Sequence, residues 1–157
     1  MKGEGAAAAL RQLPTGVCLL GILTARAEPY ASTVSWVVPL SFEPPMLGVA
    51  LEPRSKTLAL VRAMGDFAIS VPRAESRSDV IKLGRSSAEV ADKMAGVTLG
   101  TTDGGLPIVA GAAGWLACRV VGEQRVGDHV LVIAEVGAGW VADGTAPPAW
   151  SYWGGSG

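Results

Sequence analysis

The chain has 157 residues, 49% of them apolar and 17% charged, and its 13 basic and 14 acidic side chains leave a formal net charge of −1. That length suits one domain burying roughly 70% of the surface its unfolded form exposes, and the composition is too apolar for disorder. Near-neutral charge removes the electrostatic case for nucleic acid or an anionic membrane as partner.

Taken in chain order, residues 1–13 read as a frayed end or a short helix. Lys2 precedes a run of alanines, but Glu4 and Arg11 bracket that run too closely for a secretory leader. Residues 17–25 are an apolar run bounded by Gly16 and the charged, proline-containing segment 26–29, which suits a buried strand. Residues 30–38 alternate small polar and apolar side chains and read as a second strand. Pro39 and the Pro44-Pro45 pair exclude helix nearby and force extended or turn geometry. Residues 46–51 are a third strand.

The clearest helix covers residues 55–64: Ser55 is placed to cap it, Leu58, Val61 and Met64 recur at helical spacing, and Gly65 stops it. Residues 67–71 form a short strand closed by Pro72. Segments 76–83 and 87–94 read as two short helices around Gly84-Arg85-Ser86, in a hydroxyl-rich surface region. Strands return at 97–101, 115–125 and 129–141, the last two joined as a hairpin about Gly127-Asp128. Residues 147–157 are rich in Pro, Gly and Trp and read as irregular.

About six strands with one or two short helices, and no regular alternation of the two, indicate a mainly β fold. The expected architecture is a β-barrel with helical excursions, one domain over 1–157 with 1–12 and 147–157 peripheral. Charge-free runs at 12–25 and 104–118 fall short of the about 18 residues of a membrane span. A soluble cytoplasmic protein is expected, without membrane contact. Cys18 and Cys118 lie in apolar surroundings with no C-x-x-C, so two buried free thiols are expected rather than a zinc or redox pair.

Gly137-Ala138-Gly139-Trp140-Val141-Ala142 fits a dinucleotide fingerprint, yet Asp143-Gly144 and Pro147-Pro148 come next, so no helix can receive a pyrophosphate there. His129 is the sole histidine, which excludes two-histidine metal motifs; with no G-x-S-x-G elbow it also argues against a Ser-His-Asp hydrolase. No metal site is expected. Asp128 should point away from His129 if the strand has begun. His129 is then either a structural hairpin residue or a neighbour of a bound cofactor.

Two clusters remain. Arg54-Ser55-Lys56-Thr57 stands at a helix start, where free N–H groups and the macrodipole favour an anion; an ordinary capped, solvated helix start is the alternative. Ser32-Thr33-Val34-Ser35-Trp36 carries three hydroxyls in five residues. Alternation puts Thr33 and Ser35 on one face and Ser32, Val34 and Trp36 on the other. This is either a Ser/Thr-rich edge strand or a set of donors for the carbonyls and ring nitrogens of an isoalloxazine. Together the clusters suit a flat, hydrogen-bonding cofactor with a phosphate tail, namely FMN.

These residues resemble the flavin-reductase-like family of FMN-binding split β-barrels, most closely its flavoredoxin-like branch. The likeness runs from Leu13-Pro14-Thr15-Gly16-Val17 to Gly127-Asp128-His129 and Glu135-Val136. It is densest in T-V-S-W at 33–36, S-F-E-P-P at 41–45, P-R-S-K-T at 53–57 and G-D-F at 65–67, with A-C-R-V at 117–120 adding weight. The resemblance implies a homodimer with one FMN per protomer near the subunit interface, and electron traffic through the flavin from NADH or NADPH. It assigns Thr33, Val34, Ser35 and Trp36 to the isoalloxazine and ribityl side. Arg54, Ser55, Lys56 and Thr57 fall to the phosphate, and His129 to the open face. The chain departs from the family at Tyr30 and Ser70, where Asn is frequent, and at Met94, where Phe closes the D-K-F block.

The implied activity is NAD(P)H-dependent FMN reduction, with electrons passed to released flavin, a monooxygenase or another redox protein. No side-chain acid is required, so no catalytic residue is assigned. An FMN electron carrier that does not use NAD(P)H is the alternative. A barrel holding heme through His129, or a deazaflavin, is the other. Trp150 and Trp153 either cross a subunit interface or cover the protein's own barrel end.

Overall fold

The computed structural model describes residues 2–86, 89 and 92–142. After a helix α1 (Lys2–Leu10), the strands β1 (Cys18–Leu23) and β2 (Pro29–Val34) form an antiparallel hairpin, with Ala27 at φ 58° in its turn. A second hairpin joins β3 (Val37–Phe42) to β4 (Pro45–Leu51). Helix α2 (Lys56–Met64), strand β5 (Asp66–Val71), a 3-10 turn (Ala74–Ser76) and helix α3 (Arg77–Leu83) come next. Strands β6 (Leu99–Thr101) and β7 (Pro107–Val109) make a small sheet of their own. The long strands β8 (Gly114–Val126) and β9 (His129–Val141) turn at Gly127, whose φ of 59° is the left-handed value that glycine accepts freely. The large sheet has seven antiparallel strands in the order β2-β1-β5-β8-β9-β4-β3.

Residues 30–38 are therefore not one strand. β2 stops at Val34 on one edge of the sheet, and β3 starts at Val37 on the other. Ser35 and Trp36 have strand-like composition, but here the chain exchanges its partner β1 for β4, and the Trp36 carbonyl accepts from the Ala50 N–H at 2.9 Å. Three virtual bonds from Val34 to Val37 span at most about 11 Å. The sheet must therefore curl until its edges approach each other at this link, although β2 and β3 are not ladder neighbours among the described residues.

Strand β3 is unanticipated because Pro39 interrupts its pattern. An edge strand tolerates proline, and the ladder shifts register between Pro39 and Ser41. β7 is too short for its periodicity to be read. Nine strands thus stand among the described residues where about six were expected. Segment 76–83 begins as the 3-10 turn. The helix expected over 87–94 lies partly outside the described residues, and 92–96 are turn. The expectations for 147–157, Trp150 and Trp153 also lie outside them.

The main core fills the inside of the curl: Leu20 and Ile22 of β1, Val49 of β4, Phe67 of β5 and Val132 of β9 pack with Leu58 and Val61 of α2. Each large side chain so buried contributes roughly 1.5–3 kcal/mol. A smaller cluster on the other face joins Leu19, Ala31, Leu83, Val109 and Ala112. Segment 76–94 is accordingly not a mere surface region, since Val80, Leu83 and Lys93 are buried. β7 crosses β1 at Gly21, where a Cβ would stand 1.8 Å from the Pro107 carbonyl oxygen.

Both thiols are free; Cys118 is buried and Cys18 partly so. Burial pushes Cys18 up to about 11 and Cys118 up to about 12. Among the described residues no helix is long and apolar enough to cross a membrane.

Candidate functional site

A cavity of about 660 Å³ opens where the two sheet edges approach. Its walls are β2 with the link Ser35-Trp36, the end of β4 with the loop that leads into α2, the turn Gly84-Arg85-Ser86 after α3, Lys93, and His129. All nine residues singled out from the sequence line it: Thr33, Val34, Ser35, Trp36, Arg54, Ser55, Lys56, Thr57 and His129.

The α2 wall is built by local capping. Ser55 is extended (φ −70°, ψ 142°); its Oγ accepts from the Leu58 N–H at 3.1 Å and donates to the Glu52 carbonyl at 2.8 Å. The Ser55 hydroxyl proton is thus committed to the loop. The backbone N–H groups of Lys56 and Thr57 remain without intrahelical acceptors, as the first turn of any helix leaves them. The side chains of Arg54 and Lys56 are on the cavity's solvent side, Lys56 being partly covered by the Tyr30 ring. Gly65, at φ 75°, closes the other end and donates to the Val61 carbonyl.

The β2 wall works differently. Thr33 donates its hydroxyl to the Val80 carbonyl of α3 at 2.5 Å. Successive residues from Ser32 to Trp36 line the cavity, although Ser32 and Thr33 belong to opposite faces. An edge strand can present both, because its free backbone edge is what faces the space. Ser35 and Trp36 lie off the strand, so the face assignment drawn from alternation does not extend to them.

His129 opens β9, and its Nδ1 lies 2.8 Å from Asp128 Oδ1. Asp128 therefore does not point away. The strand begins at His129 and leaves Asp128 in the turn, free to fold back. The hydrogen bond to His129 holds the Asp128 carboxyl below the ordinary carboxylate range. On its other side the imidazole packs on Trp36, with ring centroids 4.4 Å apart at a 35° tilt.

Sequence reasoning missed part of the wall. Tyr30, 5% exposed, shares a hydrogen bond of 3.1 Å between its hydroxyl and Thr57 Oγ1. Its ring carries the Lys56 ammonium 5.2 Å and the Lys93 ammonium 4.7 Å from its centre. Arg85 and Ser86 add to the same rim. Arg54, Lys56, Arg85 and Lys93 thus face one lining acid, Glu52. Of the other departures, Ser70 and Met94 are both absent from the cavity lining; Ser70 is buried in β5, where its Oγ accepts from the Val109 N–H at 3.0 Å and fastens β7.

A second cavity, of about 500 Å³, lies along β5, β8 and β9 and includes Asp66, Cys118, Arg119 and Glu135. There Arg119 is forked onto Asp66 at 2.9 and 3.2 Å, so its charge is already answered. Among the described residues, the lining cations without an ion pair belong to the first cavity.

Residues 10–156 match the model of the flavin reductase like domain. A flavin reductase (NADH) of Kitasatospora aureofaciens is 34% identical over 129 residues, which cover 81% of this chain and 66% of the relative. An NADH:riboflavin 5'-phosphate oxidoreductase of Streptomyces pristinaespiralis is 30% identical over 145 residues, 92% of this chain and 81% of that one. The styrene monooxygenase flavin reductase of Pseudomonas putida S12 shares the fold with a TM-score of 0.79 at 24% identity, over 89% of this chain and 88% of that chain. With the domain model spanning almost all of its length, the chain belongs to the flavin reductase like family.

Proposed function

We propose that this protein is an NAD(P)H-dependent flavin reductase that holds FMN in the 660 Å³ cavity. The observation that carries the reading is the meeting, across one space, of the cationic first turn of α2 and the free backbone edge of β2. The donor set fits the group. Arg54, Lys56 and the N–H groups of Lys56 and Thr57 would hold the phosphate dianion. The edge from Thr33 to Trp36 would bond the ring and ribityl oxygens, and His129, packed on Trp36, would bound the open side.

Flavin, when bound, supplies acceptance of hydride and release of electrons. The chain's own part is to orient the ring, exclude water behind it and leave room for the nicotinamide. The names of the two relatives support a nicotinamide donor.

The curled sheet supports a split barrel as the finer architecture, and the exposed α1 supports one domain with a peripheral N-terminal segment. A homodimer is part of the proposal: the edge strand β3 leaves Val38, Leu40 and Phe42 exposed, Phe42 by 90%, as a face for a second copy. Unpaired thiols support a reducing, cytoplasmic setting. Electrons would leave on released flavin or to a monooxygenase or redox partner.

Anaerobic mixing of the FMN-saturated protein with NADH and then NADPH tests the proposal. Rapid bleaching of the flavin absorbance with turnover is expected. Bound flavin that neither nucleotide bleaches overturns the reductase in favour of an electron carrier, and no flavin binding overturns both.

A further inference from the structure

The cavity along β5, β8 and β9 owes its shape to two faults in one ladder. Ala117 pairs with Ala138 and Cys118 with Val136, so Gly137 is an extra residue of β9. Val120 pairs with Ala134 and Gly122 with Ile133, so Val121 is an extra residue of β8. Both extra residues line the cavity. Bulges on opposite strands bend the ladder and sharpen its twist, which turns a sheet face into a hollow. The turn after β6 supplies a rim through Gly104 and Leu106. That turn is held by the Thr102 N–H on the Leu106 carbonyl at 2.9 Å and the Leu106 N–H on Thr102 Oγ1 at 3.1 Å.

Between the bulges, Asp66, Arg119 and Glu135 stand directly opposite one another in a single row over three strands. Arg119 gives two of its nitrogens to Asp66, at 2.9 and 3.2 Å. Among the described residues no cation pairs with Glu135. Two acids and one base therefore line the hollow, and one carboxylate is left over. Most of the remaining lining is apolar: Leu106, Ala117, Val121 and Ala138. Leu106 and Ala117 pack on the core cluster of Ala68, Ile108 and Trp115, so that wall is fixed.

We propose that this cavity is a second binding site, one for a small organic cation that carries an amine on a flat apolar body. The body rests on the apolar wall, and the ammonium donates to Glu135. A carboxylate in a hollow with apolar walls attracts a cation more strongly than one on an open surface. The volume, about 500 Å³, is that of a small-molecule site. An anion is disfavoured, because Arg119 is already answered and Glu135 repels it. The inference does not rest on the flavin site, since no residue lines both cavities.

The test is calorimetric titration of the full chain with four probes: phenethylamine, phenethyl alcohol, hydrocinnamate and methylamine. Phenethylamine should bind at least about tenfold more tightly than the uncharged alcohol, with hydrocinnamate and methylamine weaker still. Glu135→Gln should bring the amine and the alcohol to equal affinity. Glu135→Lys should invert the order, so that hydrocinnamate binds more tightly than phenethylamine. Glu135 is exposed, so both variants should keep the wild-type Tm. Saturating FMN should leave the amine affinity unchanged.

No binding of phenethylamine, equal affinity for the amine and the alcohol, or methylamine binding as tight as phenethylamine each overturns the proposal. So does phenethylamine binding that Glu135→Gln leaves intact, or that FMN displaces, which would put the amine in the other cavity. If the chain binds no flavin, the function proposed above has failed, and the Glu135 variants alone decide on this site.

Discussion

The two cavities differ less in size than in how their charges are answered. Along β5, β8 and β9, Arg119 already grips Asp66 with both forks, and the thiol of Cys118 belongs to the core cluster. Where the sheet edges meet, four cations face Glu52 alone. A concave surface with charges is common; one whose cations lack carboxylate partners among the described residues is suited to the anion that the proposed function brings to it.

The strongest way to break that contrast is to remove the cations at the α2 start. Arg54→Ala with Lys56→Ala should weaken FMN about a hundredfold or more and change riboflavin little, by equilibrium quenching. Equal affinities for the mutant and wild type would remove the phosphate site from α2.

A smaller effect concerns the thiols. Each is held protonated by burial, Cys18 to about 11 and Cys118 to about 12, against 9.0 for an unperturbed thiol. Below 9.0 both states keep the proton and the contribution is complete. Above it the unfolded chain ionises first, so stability should fall as pH rises towards 11 and 12, seen as a falling Tm that a Cys18→Ala, Cys118→Ala variant shows less steeply. At about pH 8 a thiol reagent should label neither cysteine until the chain unfolds. Fast labelling of native Cys118 would mean that the second cavity does offer a nucleophile.

The smallest effect is expected from Asp66→Ala with Arg119→Ala, which removes an exposed pair. FMN affinity should stay within error and Tm should drop slightly. A marked loss of flavin binding would mean that the two cavities are coupled.

How much of this was legible in the sequence depends on the range of each interaction. The α2 start was readable because its logic is local: Ser55 caps Leu58 three residues on, and Gly65 stands one residue past the end. The link at Ser35-Trp36 was not, because the local pattern is unchanged while the hydrogen-bonding partner switches between opposite edges of the sheet. Lys93 was hidden for a like reason. In a polar segment it reads as solvated, and it is packing against Tyr30 and Ser32, some sixty residues earlier, and against the Leu83 carbonyl that buries it. Asp128 was misjudged by one residue of strand boundary. The nine residues singled out from the sequence stand in short runs of hydroxyls and cations that are visible without the fold, and they line one cavity, whereas the walls contributed by the 84–86 turn and Lys93 are assembled by tertiary packing alone.

The two-residue link between the sheet edges also bears on when the cavity comes into being. Its walls belong to β2, α2, β4 and β9, and β1, β5 and β8 must lie between β2 and β9 for those walls to face one another. The three hairpins of the large sheet can close early, since their strands are neighbours in sequence, but the β1–β5, β5–β8 and β4–β9 ladders close long loops. No fragment of the chain owns the cavity. Whatever binds there is held by the whole sheet, so its stabilisation should be felt as slower amide exchange in β5, a strand with no residue in the cavity wall.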